Sequence, residues 1–313
     1  MRAPGRSAWL PSFALLALLS SACSSDPSPP AAPLVDAALP DVTLPPTPDA
    51  SAPDSSSDAQ PSQDSSPPSV DAPPPDPCQG RIICDDFESY PTGAAPGASW
   101  VTKLGNGTAL VDETRAHSGK RSVKVSIAAT TASDTYRQAM IAIDGAPLIP
   151  LANNTVYGRF LVYTDRIPDQ TVHWTFASGD GPLSSLYAVY NYGGMGGLMA
   201  NYYKNSTPDP TDCWQTKQQT FPTGAWTCVG FELDGTNNEM RFWLNDVEIP
   251  ELHVLGNMKT AQTCTVASVD GRWLAPTFNN VAVGWESYQN DVAGAHDAWI
   301  DDVIFDSKPI ACQ

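Results

Sequence analysis

Several stretches of this chain set rings and polar heads two residues apart, the spacing that puts them on one side of an extended strand. In segment 171–176, Val172, Trp174 and Phe176 take one side, which leaves His173 on the other with Thr171 and Thr175. Tyr157, Arg159 and Tyr163 oppose Val156, Phe160 and Val162; Arg241 and Trp243 oppose Met240, Phe242 and Leu244; Glu286 and Tyr288 fall opposite Val283 and Trp285. Faces of this kind bind sugars, because C–H faces pack on rings while hydroxyls take directional bonds. Tyr157, Tyr163, Arg241, Trp243, Glu286 and Tyr288 are therefore the expected carbohydrate-binding set, provided that their strands share one sheet. Retaining hydrolysis is a poorer match. It needs two carboxylates about 5–5.5 Å apart, and Glu232-Leu233-Asp234 runs directly into the turn residues Gly235-Thr236-Asn237-Asn238. No nucleophile elbow, P-loop, dinucleotide fingerprint or HExxH occurs, which leaves acyl transfer, nucleotide chemistry and zinc hydrolysis without support.

Such faces require strands, and the chain beyond Cys78 reads as strands throughout. Segments 122–128, 155–163, 171–176, 226–233, 239–244, 281–285 and 298–305 are rich in β-branched and aromatic residues, with Gly, Asn, Asp and Pro between them. Segment 234–238 reads as a hairpin connection. No amphipathic helix of useful length is present. The expected fold is all-β: a two-sheet antiparallel β-sandwich, or jelly roll, occupying 78–313 as one domain.

The residues before it have another character. Positions 1–22 carry Arg2 and Arg6, an apolar run and then small residues, as a secretory signal does. Leu19 to Cys23 resembles the lipobox of bacterial lipoproteins, which implies lipidation of Cys23 and a cell-envelope location, at the outer membrane or cell surface. Residues 24–77 hold 16 of the 30 prolines and nine Asp, with no basic residue. A composition so poor in apolar groups cannot offset the entropy of ordering, so 23–77 is expected to be a disordered Pro/Ser/Asp-rich tether. Removing both segments leaves 25 acidic and 15 basic groups, a balance that gives nucleic acid nothing to bind. Membrane contact is expected through the lipid alone, and the domain as a monomer.

Setting Cys23 aside leaves six cysteines, an even number that reads as disulfides in an exported chain. Cys213 and Cys228 flank a short loop and are the expected local pair; spacing does not order the other four.

Three segments carry a family resemblance: Asp85-Asp86-Phe87-Glu88 with Tyr90-Pro91-Thr92-Gly93 and Trp100; His117-Ser118-Gly119-Lys120-Arg121-Ser122-Val123-Lys124-Val125; and Trp299-Ile300-Asp301-Asp302-Val303-Ile304. Together they resemble the concanavalin A-like jelly-roll group that includes polysaccharide lyases such as glucuronan lyase and many bacterial surface proteins. The resemblance implies a structural Ca²⁺ between the first and last strands, held by Glu88, by Ser118 and Lys120 through hydroxyl or backbone oxygen, and by Asp302 with Asp301 as alternate. Adjacent strand residues point to opposite faces, so both Asp residues could reach one ion only across a bulge.

The resemblance also brings a lyase into view. Elimination across a uronate needs a group to neutralise the carboxylate, a base and an acid. His173 could serve as base or neutralising group, Arg137 or Arg159 could meet the carboxylate with Gln138 as amide partner, and Tyr190 or Tyr192 could be the acid. The expected function is polysaccharide or glycan binding at the cell surface, with a polyuronate lyase and a non-catalytic adhesion or scaffolding module as alternatives.

Overall fold

The computed structural model describes residues 76–129, 136–205, 211–256, 263–265, 273–289, 291 and 294–312. The expectations for the leader, for Cys23 and for the tether up to position 75 lie outside them. In chain order the first strands are β1 Ile83–Asp85, β2 Val101–Gly105, β3 Gly107–Asp112, β4 Ser122–Ile127, β5 Arg137–Ile143 and β6 Thr155–Thr164. Then follow β7 Trp174–Leu183, β8 Leu186–Gly194, β9 Leu198–Lys204, β10 Thr211–Lys217, β11 Thr227–Asp234 and β12 Glu239–Leu244. The last are β13 Val247–Glu248, β14 Val254–Leu255, β15 Thr263–Thr265, β16 Asn280–Ser287 and β17 His296–Asp306. Among the described residues the only helical pieces are two three-residue 3₁₀ turns, Ala152–Asn154 and Pro250–Leu252.

The strands form two antiparallel sheets, as a jelly roll requires. The first has the order β13-β12-β11-β6-β17-β4-β3, with β1 also on β17 and β14 on β12; the second runs β15-β10-β9-β8-β7-β16-β5-β2. Alternation decides which side chains lie between them. Phe160 of β6 meets Phe176 of β7 at 6.0 Å and Phe231 of β11 at 6.4 Å between ring centroids, and Trp174 stacks on Trp285 at 4.8 Å. Each fully buried ring of this size contributes roughly 1.5–3 kcal/mol over an exposed one. The 234–238 connection is the anticipated hairpin: Asp234 Oδ1 accepts the N–H groups of Thr236 (2.8 Å) and Asn237 (3.1 Å), and Asn238 takes a positive φ of 55°.

Two expectations are corrected. Segment 171–176 is strand only from Trp174, because Val172 N–H turns back to Asp169 O at 2.9 Å. The strand then continues to Leu183, past a register shift between Thr175 and Ala177 against β8. Phe176 and Ala177 both enter the core there, and Ser178 and Asp180 emerge on the outer side. The second correction concerns Cys213 and Cys228, which do not pair. Cys228 is bonded to Cys312 and Cys78 to Cys84, while Cys213, also disulfide-bonded, stands in register with Cys264. The reason is topological: β10 lies in the second sheet and β11 in the first, so the loop between these cysteines crosses from one layer to the other.

Candidate functional site

The outer face of the second sheet gathers a polar, aromatic recess of about 160 Å3. Gln138 of β5 and Glu286 of β16 are cross-strand partners, and Lys103 comes from β2 on the far side of β5. Ser178 and Asp180 come from β7, Tyr187 and Asn191 from β8 and Tyr203 from β9, with Tyr136 and Tyr288 beside them. Glu286 is the hub: its Oε2 accepts Tyr136 Oη at 2.7 Å and Gln138 Nε2 at 2.8 Å. Burial raises its carboxyl above the usual range, against the pull of those two bonds and of Lys103. Lys103 Nζ is shared between Asp180 Oδ2 and Asn280 Oδ1, both at 2.7 Å. Asn191 and Asn201 continue the polar row toward Asp212, which Asn201 Nδ2 reaches at 2.6 Å.

Rings close one end of the recess. Tyr136 lies 5.4 Å from Tyr288, which lies 5.0 Å from His173. Burial lowers the His173 pKa to about 4, so its imidazole is neutral at pH 7 and a weak proton acceptor. Burial raises Tyr136, Tyr187 and Tyr288, with Glu286 or Asp180 adding to the shift, and all three keep their hydroxyl protons as donors. The recess thus offers ring faces, hydroxyl and amide donors and a carboxyl of raised pKa, while the neutral His173 imidazole lies against Tyr288 outside its lining.

Of the residues singled out from sequence, Gln138, Glu286 and Tyr288 come together here, with His173 against Tyr288 at the edge; the rest do not. Arg137 precedes Gln138 on its strand and so points inward, where Nη2 and Nη1 donate to Gln289 O (2.6 Å) and Ala128 O (3.3 Å). Tyr190 and Tyr192 also face the core, with hydroxyls spent on Trp273 O and Leu252 O. Arg159, Tyr157, Arg241, Trp243 and Tyr163 have the outward alternation expected of them, but on β6 and β12 of the first sheet. Tyr163 there packs with Trp226 and Trp299 beneath Arg115. Lys103, Tyr136, Asp180, Tyr187, Asn191 and Tyr203 were missed. The usable signal was β8, where choosing Tyr187, Val189 and Asn191 over Tyr190 and Tyr192 is a one-residue change of phase.

The residues expected to hold calcium meet in part. β17 has a register shift between Asp301 and Ile304 against β6, and Asp302 takes φ 47°, so both acids reach the 117–118 turn. Asp301 Oδ2 accepts the N–H groups of His117 (2.7 Å) and Ser118 (3.2 Å). Asp302 Oδ1 accepts Ser118 Oγ at 2.6 Å, and its Oδ2 lies 2.6 Å from His117 Nδ1. Burial, with Asp302 beside it, lifts the Asp301 pKa to about 7. Glu88 Oε1 takes the N–H groups of Lys120 and Arg121 at 2.6 Å each. Gly119 is required in this turn: its φ is +58° and a Cβ there would stand 2.4 Å from Glu88 Oε1. Among the described residues no three His, Cys, Asp or Glu side chains gather as a metal cage. Asp301 Oδ1 also accepts Asp302 N–H at 2.9 Å, so both of its oxygens are met by protein donors, and a cation here would draw on Ser118 and Asp302.

This architecture is that of the concanavalin A-like jelly rolls. The chain belongs to the polysaccharide lyase-like family whose model is described as the Cip1-like core domain, matched over residues 86–308. Among solved structures it is similar to the cellulose induced protein Cip1, with 23% identity, a TM-score of 0.53, and coverage of 74% of this chain and 100% of that one. It is also similar to an endo-β-1,4-glucuronan lyase from the fungus Trichoderma reesei, at 12% identity, TM-score 0.46, and coverage of 70% and 95%. An endo-1,3-β-glucanase from Streptomyces sioyaensis gives 11%, 0.45, and coverage of 76% and 100%. No curated protein matches.

Proposed function

We propose that this chain is a polysaccharide-binding module whose site is the recess on the outer face of the second sheet. The observation that carries the reading is the convergence of Tyr136, Tyr187, Tyr203 and Tyr288 with Glu286, Gln138 and Asn191 on one sheet face. Ring faces beside fixed donors and acceptors are what a sugar surface needs. Membership of a polysaccharide lyase-like family supports the same class of ligand. A glycan array probed with the full chain tests it: retention of a polysaccharide should be lost in Tyr288→Ala and weakened in Glu286→Gln. A silent array with binding to a protein partner would favour the adhesion module instead.

A lyase reading would draw its base from His173, which lies against Tyr288 at the edge of the recess and which burial makes a weak proton acceptor. In β-elimination, His173 would take the C5 proton and a tyrosine hydroxyl of the recess would protonate the leaving oxygen. Lys103 is the cation of the recess and is bonded to Asp180, so neutralising a uronate carboxylate falls to Lys103 or to the Gln138 amide. Ultraviolet absorbance of an unsaturated uronate on a polyuronate panel decides between binding and cleavage.

The cellular setting belongs to the same proposal: lipid on Cys23, a Pro-rich stalk and a monomeric domain held at the cell envelope. A stabilising Ca²⁺ at Ser118 and Asp302 is part of it, supported by the half-buried Asp302 carboxylate beside the buried Asp301. Chelation should lower the melting temperature if the ion is bound; an unchanged value removes it.

A further inference from the structure

We propose a second saccharide site on the opposite sheet: a pocket for a single uncharged pyranose over Gly230, on the outer face of the first sheet. The cavity there measures about 390 Å3, against about 160 Å3 for the recess on the second sheet. Its floor exists because Gly230 lacks a side chain between Arg159 and Trp243, its partners on the two neighbouring strands. The next rung is Tyr157, Glu232 and Arg241. Trp243 supplies a ring wall for the C–H face of a pyranose.

The polar groups are held before any ligand arrives. Glu232 is 7% exposed and its Oε1 accepts Tyr157 Oη at 2.7 Å. Arg241 is fixed by Glu248, through Nε and Nη2 at 3.1 Å each, with its guanidinium 5.6 Å from the Trp243 ring centroid. The far wall is Asp246 with Pro309, Ile310 and Ala311, a terminal segment tied down by the Cys228–Cys312 disulfide and by Cys312 N–H on Asp246 Oδ1 at 2.7 Å. An acceptor, a donor and a ring set around a recess of this size match the hydroxyls and apolar face of one sugar unit.

Charge narrows the ligand. Glu232 and Asp246 line the pocket, while Arg241, its cationic lining group, is committed to Glu248. A uronate would bring a third carboxylate and be repelled; a neutral hexose or pentose ring meets no such cost. With the recess on the other sheet, the module would hold two glycan segments at once and gain avidity without new contacts.

The test titrates methyl β-glucoside, methyl β-xyloside and methyl β-glucuronide into the full chain, read by saturation-transfer NMR and tryptophan fluorescence. Gly230→Val fills the floor, and the backbone tolerates it because a Cβ there meets Trp243 no closer than 3.4 Å. Trp243→Ala removes the ring, and Tyr288→Ala serves as the control on the other sheet. We expect saturable binding of a neutral glycoside, with Kd raised at least about tenfold in both first-sheet variants, unchanged in Tyr288→Ala, and the glucuronide weaker by a similar factor. The proposal is overturned by binding that survives Gly230→Val and Trp243→Ala, by binding that Tyr288→Ala alone abolishes, or by no saturable binding of either neutral glycoside. Polysaccharide binding by the second sheet is read separately, through Tyr288→Ala.

Discussion

Glu286, His173 and His296 show how burial sets chemistry in this domain. Glu286→Gln keeps the shape and hydrogen-bonding capacity of the recess hub while removing its charge, so ligand binding should weaken by about tenfold with little change in fold. Equilibrium titration paired with a melting curve separates the two effects. His296 stacks on Trp285 at 3.9 Å, and its pKa is lowered to about 3, first by burial and then by Arg166; burial lowers His173 to about 4. The unfolded chain binds protons at both sites near pH 6.5 and the folded one does not. Stability is therefore full above that pH and falls as the pH drops through 6.5 toward 3, by an amount on the order of a few kcal/mol. His296→Phe keeps an aromatic ring on Trp285 and should flatten the steeper part of that acid limb in urea titrations at pH 4 to 7.

Strand alternation carried most of what was legible in the sequence. It correctly set Trp174 and Phe176 inside, Tyr157 and Trp243 outside, and Glu286 opposite Trp285. It does not say which sheet a strand joins, and that separated Tyr157, Arg241 and Trp243 from Glu286 and Tyr288. In a stretch such as β8, with tyrosines at 187, 190 and 192, it also leaves the phase open. Here the phase has a measurable consequence. Tyr190→Phe should lower stability by about 1–3 kcal/mol, because Trp273 O loses its buried donor, and leave binding intact. Tyr187→Phe should affect binding and leave the melting temperature unmoved. The disulfides follow the same logic: pairing obeys sheet membership, and Cys312→Ser should cost about 2–5 kcal/mol by freeing the segment clamped to β11.

Two independent layers, each with an outward polar face, allow one domain to engage glycan on both sides. Because the interlocked rings of Phe160, Phe176, Phe231 and Phe242 lie between the layers, the outer faces can vary without disturbing the core. In the proposed setting, Cys23→Ser would move the protein from the membrane to the soluble fraction of the cell envelope and leave polysaccharide affinity unchanged. The most direct measurement is the affinity of the full chain for a polysaccharide retained on the array, compared with that of Tyr288→Ala at equal melting temperature. The account predicts at least about a tenfold loss in the variant. Wild-type affinity in Tyr288→Ala and Glu286→Gln alike would contradict it.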